Sequence, residues 1–231
     1  MDDLQILART TGPRGEVALR RRGHGDDAVE ELIVNGAFAM DSAETSSERN
    51  LAHLAWNDRG RDGRMLIGGL GLGYTVHEAL SLPVTGIDVV EIEGALVQWA
   101  RDGVTPTLSR VAADPRVTLL VSDVAEVLAG AEAGAYQAIA LDVDNGPDFL
   151  IHARNASLYT RDLLQRGYSR LAPGGRLAIW CQGPSPELMS ILGSIAPTAR
   201  QHSYQVRRGE RRFAYVICTL DRVGEPDPSA T

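Results

Sequence analysis

The sequence predicts an α/β protein built on a doubly wound, largely parallel sheet, and three observations support this fold class. From residue 64 onward, short apolar runs alternate with amphipathic stretches of helical spacing, which is typical of a parallel sheet covered on both faces. The first of these runs enters a glycine-rich turn in MLIGGLGLGYTVHEAL, residues 65–80, as strands that lead to a nucleotide often do. The 231 residues allow one large domain with a small appendage.

The alternating region predicts five strands and four helices. The predicted strands are residues 64–67, 85–91, 117–121, 138–143 and 176–180. The predicted helices are residues 74–81, 94–102, 123–130 and 160–171. This alternation stops near the C-terminus, where SYQVRR and RRFAYVICTL flank Gly209 and Glu210 and predict an antiparallel hairpin.

The N-terminal segment predicts a small antiparallel β unit followed by a short helix. Residues 16–22 and 28–34 favour strands and are separated by the turn signal GHGD. Ser and Thr caps precede apolar residues at helical spacing, which predicts a helix ending near Asn57. We therefore divide the chain into an N-terminal β unit with its helix (1–60), a main α/β domain (61–220) and a flexible tail (221–231).

Composition and charge argue against several classes of function. A net charge of −7 is unfavourable for nucleic-acid binding, and no apolar run approaches the ~20 residues of a membrane helix. The N-terminus has no basic start followed by an apolar block, so we expect no secretory signal and a cytoplasmic location. No metal site is predicted, because no two histidines have ligand spacing and Cys181 and Cys218 form no CxxC motif.

The glycine-rich turn carries the first candidate binding residues. Gly69, Gly71 and Gly73 have GxGxG spacing, whereas a dinucleotide-binding turn requires GxGxxG. Tyr74 stands where the third glycine of that motif would be. The turn therefore disfavours an NAD-type dehydrogenase. Packing of a helix against the sheet is the alternative explanation of the glycines.

Acidic residues follow successive predicted strands, where ligands of such sheets bind. Glu91 lies 22 residues after Gly69 and can accept hydrogen bonds from ribose hydroxyls. Asp123 is placed to meet an adenine amino group, and Asp142 and Asp144 follow the fourth strand. Acids at these positions, without a lysine in the turn, favour a cationic nucleotide that lacks phosphate. The cofactor is therefore predicted to be S-adenosylmethionine or its decarboxylated form.

The fourth and fifth strands predict the acceptor site. In extended chain Asp142 and Asp144 point to the same side, and together they could hold an amine and take its proton; capping of the following turn is the alternative for either. Tyr159, Trp180 and Gln182 are placed to line the acceptor pocket, where aromatic rings attract cations. Core packing is the alternative for these three. The predicted partner is a small-molecule acceptor, with an amine as a candidate.

Several sequence blocks, in order, resemble the motifs of the spermidine synthase-like proteins, a branch of the class I methyltransferase fold. The blocks are GGLGLGYTVHEAL, DVVEIEGALVQWA, SDVAEVL, YQAIALDVDNGP, ASLYT and RLAPGGRLAIWCQGPSP. The resemblance implies a Rossmann-like domain that binds the sulfonium nucleotide, with an N-terminal gate and a C-terminal hairpin. It implies contact with the amino acid portion of the cofactor for Gly69, Gly71 and Gly73, with ribose for Glu91, with adenine for Asp123, and with the reacting centre for Asp142.

The sequence also departs from that family in three places. Aminopropyl-transferring members carry an aspartate in the glycine loop (GGGDGG), which is missing from Gly68–Gly73 here. The tyrosine-histidine-glutamate element of the gate is absent, with Glu48, Arg49 and His53 nearby, and the DxxD spacing of the acceptor site is compressed to Asp142 and Asp144.

Two reactions therefore remain open for an enzyme of this kind. Methyl transfer from S-adenosylmethionine fits the glycine loop and its missing acid, and we lean slightly towards it. Aminopropyl transfer to a polyamine fits the resemblance. A non-catalytic protein that binds the nucleotide is a further alternative, and the short β unit could pair across a homodimer.

Overall fold

The computed structural model describes residues 4–57, 62–143, 157–208 and 211–224, and begins with a small antiparallel sheet. Its four strands lie side by side in chain order. They are β1 (Leu4–Gly12), β2 (Gly15–Arg22), β3 (Val29–Val34) and β4 (Ala37–Asp41), with a short 3₁₀ helix at Gly25–Asp27. The two strands predicted for this segment are β2 and β3, the central pair.

Seven strands form the main sheet. They are β5 (Gly63–Gly68), β6 (Val84–Glu91), β7 (Val117–Val121), β8 (Tyr136–Leu141), β9 (Leu171–Cys181), β10 (Arg200–Arg208) and β11 (Arg211–Asp221). The spatial order is β10-β11-β9-β8-β5-β6-β7. Strands β5 to β9 are parallel, and β11 is antiparallel to both β9 and β10. The predicted hairpin therefore extends the sheet at one edge.

Seven helices accompany the strands in the described part of the chain. They are α1 (Ser46–Trp56), α2 (Tyr74–Ala79), α3 (Gly94–Arg101), α4 (Pro106–Ala113), α5 (Val124–Gly130), α6 (Arg161–Arg170) and α7 (Pro186–Ile195). Apolar residues of α1 to α4 share one buried cluster, and those of α5 to α7 share another. Because the helices cover both faces of the main sheet, the predicted doubly wound fold is confirmed.

Alternation along the central strands separates the two cores. Met65 and Ile67 of β5 face the cluster with α1, whereas Leu66 between them faces the other cluster, since successive side chains of a strand point to opposite faces. Leu19 and Leu32 of the N-terminal sheet are buried in the cluster that contains Met65. The small sheet therefore packs over the same face as α1 and shares its core.

The basic run of β2 is paired with acids on the neighbouring strand. Arg20 and Arg22 each donate to the carboxylate of Glu31, at 2.7 and 3.0 Å, and Arg21 donates to Glu30 at 2.9 Å. Cross-strand pairs of opposite charge stabilise antiparallel sheets modestly. These arginines therefore contribute to the pairing of β2 with β3 in the small sheet.

The structure adds four strands and helices to those predicted and shifts one strand, β8, by two residues towards the N-terminus. The added elements are β1, β4, α4 and α7. Strand β1 is mostly exposed, which removes the alternation that reveals a strand, and α4 and α7 are short helices that begin at a proline. Strand β8 ends at Leu141, two residues before the predicted end.

The division of the chain at residue 60 stays a prediction, because residues 58–61 lie outside the described residues. The same holds for the tail, of which residues 221–224 are described. Among the described helices, none is long and apolar enough to cross a membrane.

Candidate active site

A cavity of about 360 Å³ lies at the edge of the main sheet where the parallel strands end. Its lining comes from the ends of β5, β6, β8 and β9, from β3, β4 and α1, and from the β10–β11 hairpin. Doubly wound sheets bind their ligands at this edge, and the volume is in the range of small-molecule sites. The N-terminal and main sheets therefore contribute to one candidate site.

Two of the three predicted loop glycines line this cavity, and both have left-handed backbones. Gly69 has φ +96°, and a Cβ there would lie 2.2 Å from the backbone oxygen of Asp142. Gly71 has φ +51°, and its Cβ would lie 2.7 Å from the sulfur of Met40. Only glycine combines these backbone angles with so close an approach. The loop is thus held against both β8 and the N-terminal sheet.

The third glycine of the loop, Gly73, has φ +86° and caps the start of α2. A Cβ there would contact Leu108 and Val111 of α4 at 3.4 and 3.5 Å. Gly73 is not among the described residues that line the cavity. Gly73 therefore allows α2 to pack closely against α4, and its contact with a cofactor stays a prediction.

Glu91 ends β6 as a buried residue of the cavity. One carboxylate oxygen accepts from the backbone N–H of Leu70 and the other from that of Glu93, both at 2.8 Å. Burial raises the pKa of Glu91, and the backbone donors oppose that shift. A carboxylate has about four lone-pair sites, so these two bonds fix its position and leave acceptor capacity for hydroxyl groups.

Asp142 follows β8 and also lines the cavity. Its Oδ2 accepts from the hydroxyl of Thr75 on α2 at 2.5 Å. Burial raises the pKa of Asp142 to about 6, although the Thr75 hydrogen bond lowers it in part. Its partner in the predicted acidic pair, Asp144, lies outside the described residues.

Glu48 is the site residue that the sequence analysis did not assign. It lies on α1, is only 9% exposed and lines the cavity that contains Asp142. The Ser47 hydroxyl donates to its Oε2. Burial, and then the charge of Asp142, raises the pKa of Glu48 to about 7. One signal was present in the sequence: Glu48 precedes Leu51 and Ala52 by three and four residues, on the buried face of the helix.

Aromatic rings form one wall of the cavity. Trp180, a predicted residue, stacks on Tyr215 with ring centroids 6.3 Å apart, and Tyr204 stacks on Tyr215 at 5.1 Å. The Nε1 of Trp180 is buried and has no acceptor among the described residues. Gln182, also predicted, lies beside this wall and is exposed. The contribution of Tyr215 was not predicted.

Two other predicted residues do not line the cavity in the described part of the chain. Asp123 caps α5, where its carboxylate accepts from the backbone N–H of Ala125 at 2.8 Å. Tyr159 is buried, and its hydroxyl donates to the backbone oxygen of Val143 at 2.8 Å. Tyr159 thus supports the chain next to Asp142. Roles in binding stay predictions for both.

The lining of the cavity is acidic. Among its described residues are six carboxylates and no arginine, lysine or histidine; the acids are Asp41, Glu44, Glu48, Glu91, Glu93 and Asp142. No three His, Cys, Asp or Glu side chains of the described residues are grouped as a metal site requires. Since a cation lowers the repulsion among these carboxylates, the cavity is suited to positively charged organic ligands.

The strand order and the glycine turn at the strand ends define a protein with the class I methyltransferase fold. Residues 44–207 match the family model described as the spermine/spermidine synthase domain. The chain therefore belongs to that family, and the resemblance seen in its sequence blocks is confirmed.

The relatives of this chain are named for two kinds of transferase activity. Putrescine N-methyltransferase 3 of Nicotiana tabacum is 33% identical over 169 residues, which cover 71% of this chain and 41% of that protein. Polyamine aminopropyltransferase 2 of Pseudomonas aeruginosa is 32% identical over 157 residues, 64% of this chain and 42% of that protein. The chain thus spans about two fifths of the length of these relatives.

Solved structures support the fold. Spermidine synthase from Thermotoga maritima superposes with a TM-score of 0.75 at 17% identity, covering 96% of this chain and 74% of that one. A spermidine synthase in complex with the transition state analogue AdoDATO gives a TM-score of 0.77 at 17% identity, covering 96% and 75%. At this identity the likeness shows a shared fold.

Replacing Gly69 with alanine should damage the loop. The new Cβ would meet the Asp142 carbonyl, and alanine is strained at this φ, so we expect a loss of stability of about 1–3 kcal/mol or more. Thermal unfolding measures this loss. Gly130→Ala is the matched control, since nothing lies within 4 Å of a Cβ there; equal effects in both variants would contradict the prediction.

Replacing Glu48 with glutamine should stabilise the protein at high pH. A carboxyl whose folded pKa is raised from 4.5 to about 7 favours folding when protonated, so its contribution is full below about pH 4.5 and is lost as the pH rises through 7. We expect a melting temperature on the order of 5 °C above wild type at about pH 8, and little difference at about pH 5. Exposed Glu132→Gln is the control, and a variant no more stable than wild type at pH 8 would refute the expectation.

Proposed function

We propose that this protein transfers a methyl group from S-adenosylmethionine to a small amine. The observation that carries the proposal is the cavity at the strand ends, whose described lining holds six carboxylates and no basic side chain. Both reactants of such a transfer are cations, a sulfonium and an ammonium. An acidic, aromatic-walled cavity attracts both, because carboxylates and ring faces each stabilise positive charge.

The residues of the loop and strand ends fit the nucleotide. Glu91 is held by two backbone donors and has acceptor capacity left for ribose hydroxyls, while Gly69 and Gly71 let the backbone approach a ligand closely. In this proposal Asp123, which follows β7, accepts a hydrogen bond from the adenine amino group. When bound, the nucleotide supplies a carbon on a positively charged sulfur, which is already electrophilic.

The acceptor amine belongs beside Asp142 in this proposal. Alkyl ammonium groups have a pKa of about 10, so the amine enters protonated. The Thr75 hydroxyl fixes one oxygen of Asp142 at 2.5 Å, and this bond orients the carboxylate. Holding the nitrogen in a near-attack position can provide much of the rate enhancement of such a transfer. Trp180 and Gln182 would line the far side of the acceptor.

Methyl transfer is favoured over aminopropyl transfer by the glycine loop. The loop has no acid to hold the free ammonium arm of a decarboxylated nucleotide, and any side chain added at Gly71 would have to displace the Met40 sulfur, which lies 2.7 Å from the position of its Cβ. The putrescine N-methyltransferase of Nicotiana tabacum is also 33% identical over 71% of this chain, whereas the aminopropyltransferase of Corynebacterium efficiens is 28% identical over the same share.

Aminopropyl transfer from the decarboxylated nucleotide to a polyamine is the second candidate. The family and the names of its other relatives favour it. A protein that binds the nucleotide without turnover is the third. The cytoplasmic location and the homodimer stay predictions; the exposed apolar residues Leu4 and Ile6 on the edge strand β1 favour pairing there.

The nucleotide product distinguishes these candidates. The protein is incubated separately with S-adenosylmethionine and its decarboxylated form, together with 1,4-diaminobutane and a pool of amines, phenols and carboxylic acids. We expect S-adenosylhomocysteine by mass spectrometry, formed only when an amine is present. Methylthioadenosine formed with an amine would replace the first candidate with the second, and binding without either product would support the third.

Replacing Asp142 with asparagine should separate binding from turnover. The amide has no negative charge to attract an ammonium group, so we expect turnover to fall about a hundredfold or more, while S-adenosylmethionine binding stays within a few-fold. Asp102→Asn, at the exposed position that directly follows α3, is the control. Unchanged turnover in Asp142→Asn would remove the role assigned to this carboxylate.

Replacing Glu91 with alanine should weaken binding of the nucleotide. The change deletes the ribose acceptor and the anchor of the Leu70 backbone, so we expect affinity for S-adenosylhomocysteine to fall about tenfold or more, as loss of hydrogen bonds to a charged group predicts. Calorimetric titration measures the affinity, and exposed Glu132→Ala is the control. Equal affinities in the two variants would contradict the ribose assignment.

A further inference from the structure

Glu48 and Asp142 bring two carboxyl groups to one cavity from different elements. Glu48 belongs to α1, and Asp142 follows β8 in the middle of the main sheet. Each has one hydroxyl donor, from Ser47 and Thr75 respectively. Glu48 is buried and Asp142 is half-buried, and the charge of Asp142 raises the pKa of Glu48, so near neutral pH the pair retains a proton.

The groups around Glu48 do not neutralise it. Besides Asp142, the charged group that acts on it is Glu44, which precedes α1 and raises its pKa further. On α2, Glu78 is paired with His53 and lies near Arg49. The basic side chains of α1 are therefore directed to Glu78.

The other elements packed on α1 likewise leave Glu48 without a cation. On β11, the Tyr215 hydroxyl accepts from Asn50 at 2.7 Å. On β9, Arg176 pairs with Asp221 and donates to the Leu54 carbonyl at the far end of the helix. No basic side chain among the described lining residues faces Glu48. A positive charge for this carboxylate must then come from a ligand.

The two carboxyl groups differ in how firmly hydrogen bonds hold them in place. Asp142 is bound through Oδ2 to Thr75 on α2 at 2.5 Å, and its backbone N–H is bound to the Gly68 oxygen at 2.8 Å. It is therefore fixed at both ends. Glu48 receives its side-chain donor from its own neighbour Ser47 on a longer side chain. Its pKa of about 7 also lies nearer the pH at which a general base works best.

We propose that Glu48 is the catalytic base of this site, taking the proton of the acceptor ammonium that Asp142 holds. The inference rests on the proposed function, since it requires an amine acceptor. The ammonium gives one proton to the Glu48 carboxylate, and the nitrogen lone pair then forms the N–C bond. The S–C bond breaks with its electron pair left on sulfur, and Glu48 returns the proton to solvent after the product leaves.

Proton release on amine binding tests this assignment without turnover. Wild type and Glu48→Gln are saturated with S-adenosylhomocysteine and titrated with 1,4-diaminobutane at about pH 7 in phosphate and in Tris. The difference in heat between the buffers counts protons released. We expect about half a proton per amine in wild type, because Glu48 is then about half protonated and a cation displaces its proton. We expect close to none in Glu48→Gln.

The pH dependence of turnover tests the same assignment by a second route. In wild type, kcat/KM for the amine should fall below about pH 7, the pKa of the free base. Glu48→Gln should lose about a hundredfold or more at neutral pH together with that acidic limb, and Glu48→Asp should regain part of both. Exposed Glu132→Gln should match wild type. Binding of S-adenosylhomocysteine by each variant shows that it is folded.

The outcomes separate this inference from the proposed function. Amine binding with equal proton release in wild type and Glu48→Gln, or an unchanged acidic limb, would overturn the role of Glu48 and leave the amine transferase intact. Failure of wild type to bind any amine would overturn both. Loss of proton release and of the limb in Glu48→Gln, with nucleotide binding retained, is the expected result.

Discussion

The close approach of the glycine loop to the end of β8 is the constraint on which the rest of the site depends. The backbone N–H of Asp142 donates to the Gly68 oxygen at 2.8 Å, and that of Gly69 donates to the Val90 oxygen at 2.8 Å. The loop is thus fixed to both neighbouring strands at the point where they end. Because this approach leaves no room for a Cβ at Gly69, the same contact that positions Asp142 also requires the glycine.

The acids around this loop have their desolvation partly offset by local donors. Glu91 receives two backbone N–H groups, Asp142 the Thr75 hydroxyl and Glu48 the Ser47 hydroxyl. A hydrogen bond to a charged group contributes about 1.5–3 kcal/mol, whereas the penalty for burying an isolated charge is several kcal/mol or more. The rest of the penalty is relieved when these acids are protonated, as their raised pKa values indicate, or when a cation binds.

Three site residues at the ends of parallel strands could be predicted from the sequence, whereas Asp123, which follows a fourth such strand, caps α5 and does not line the cavity. Strand ends converge on one edge of such a sheet, so Glu91, Asp142 and Trp180 could be placed together from their positions alone. Glu48, Met40 and Tyr215 could not, because they reach the cavity from α1, β4 and β11, and the packing of these elements on the sheet is tertiary. The helical spacing of Glu48 with Leu51 and Ala52 indicates that Glu48 is buried, but it does not indicate which cavity its side chain reaches.

The contact between the glycine loop and the N-terminal sheet limits which side arm of a sulfonium nucleotide the loop can hold. The Met40 sulfur of β4 accepts weakly from the backbone N–H of Leu72 at 3.4 Å and fills the space above Gly71. A carboxylate at Gly71 would have to displace the Met40 side chain from this space. The glycine loop and the N-terminal sheet therefore act together in determining which sulfonium nucleotide the site accepts. The absence of an acid at Gly71 is a property of their interface as well as of the loop.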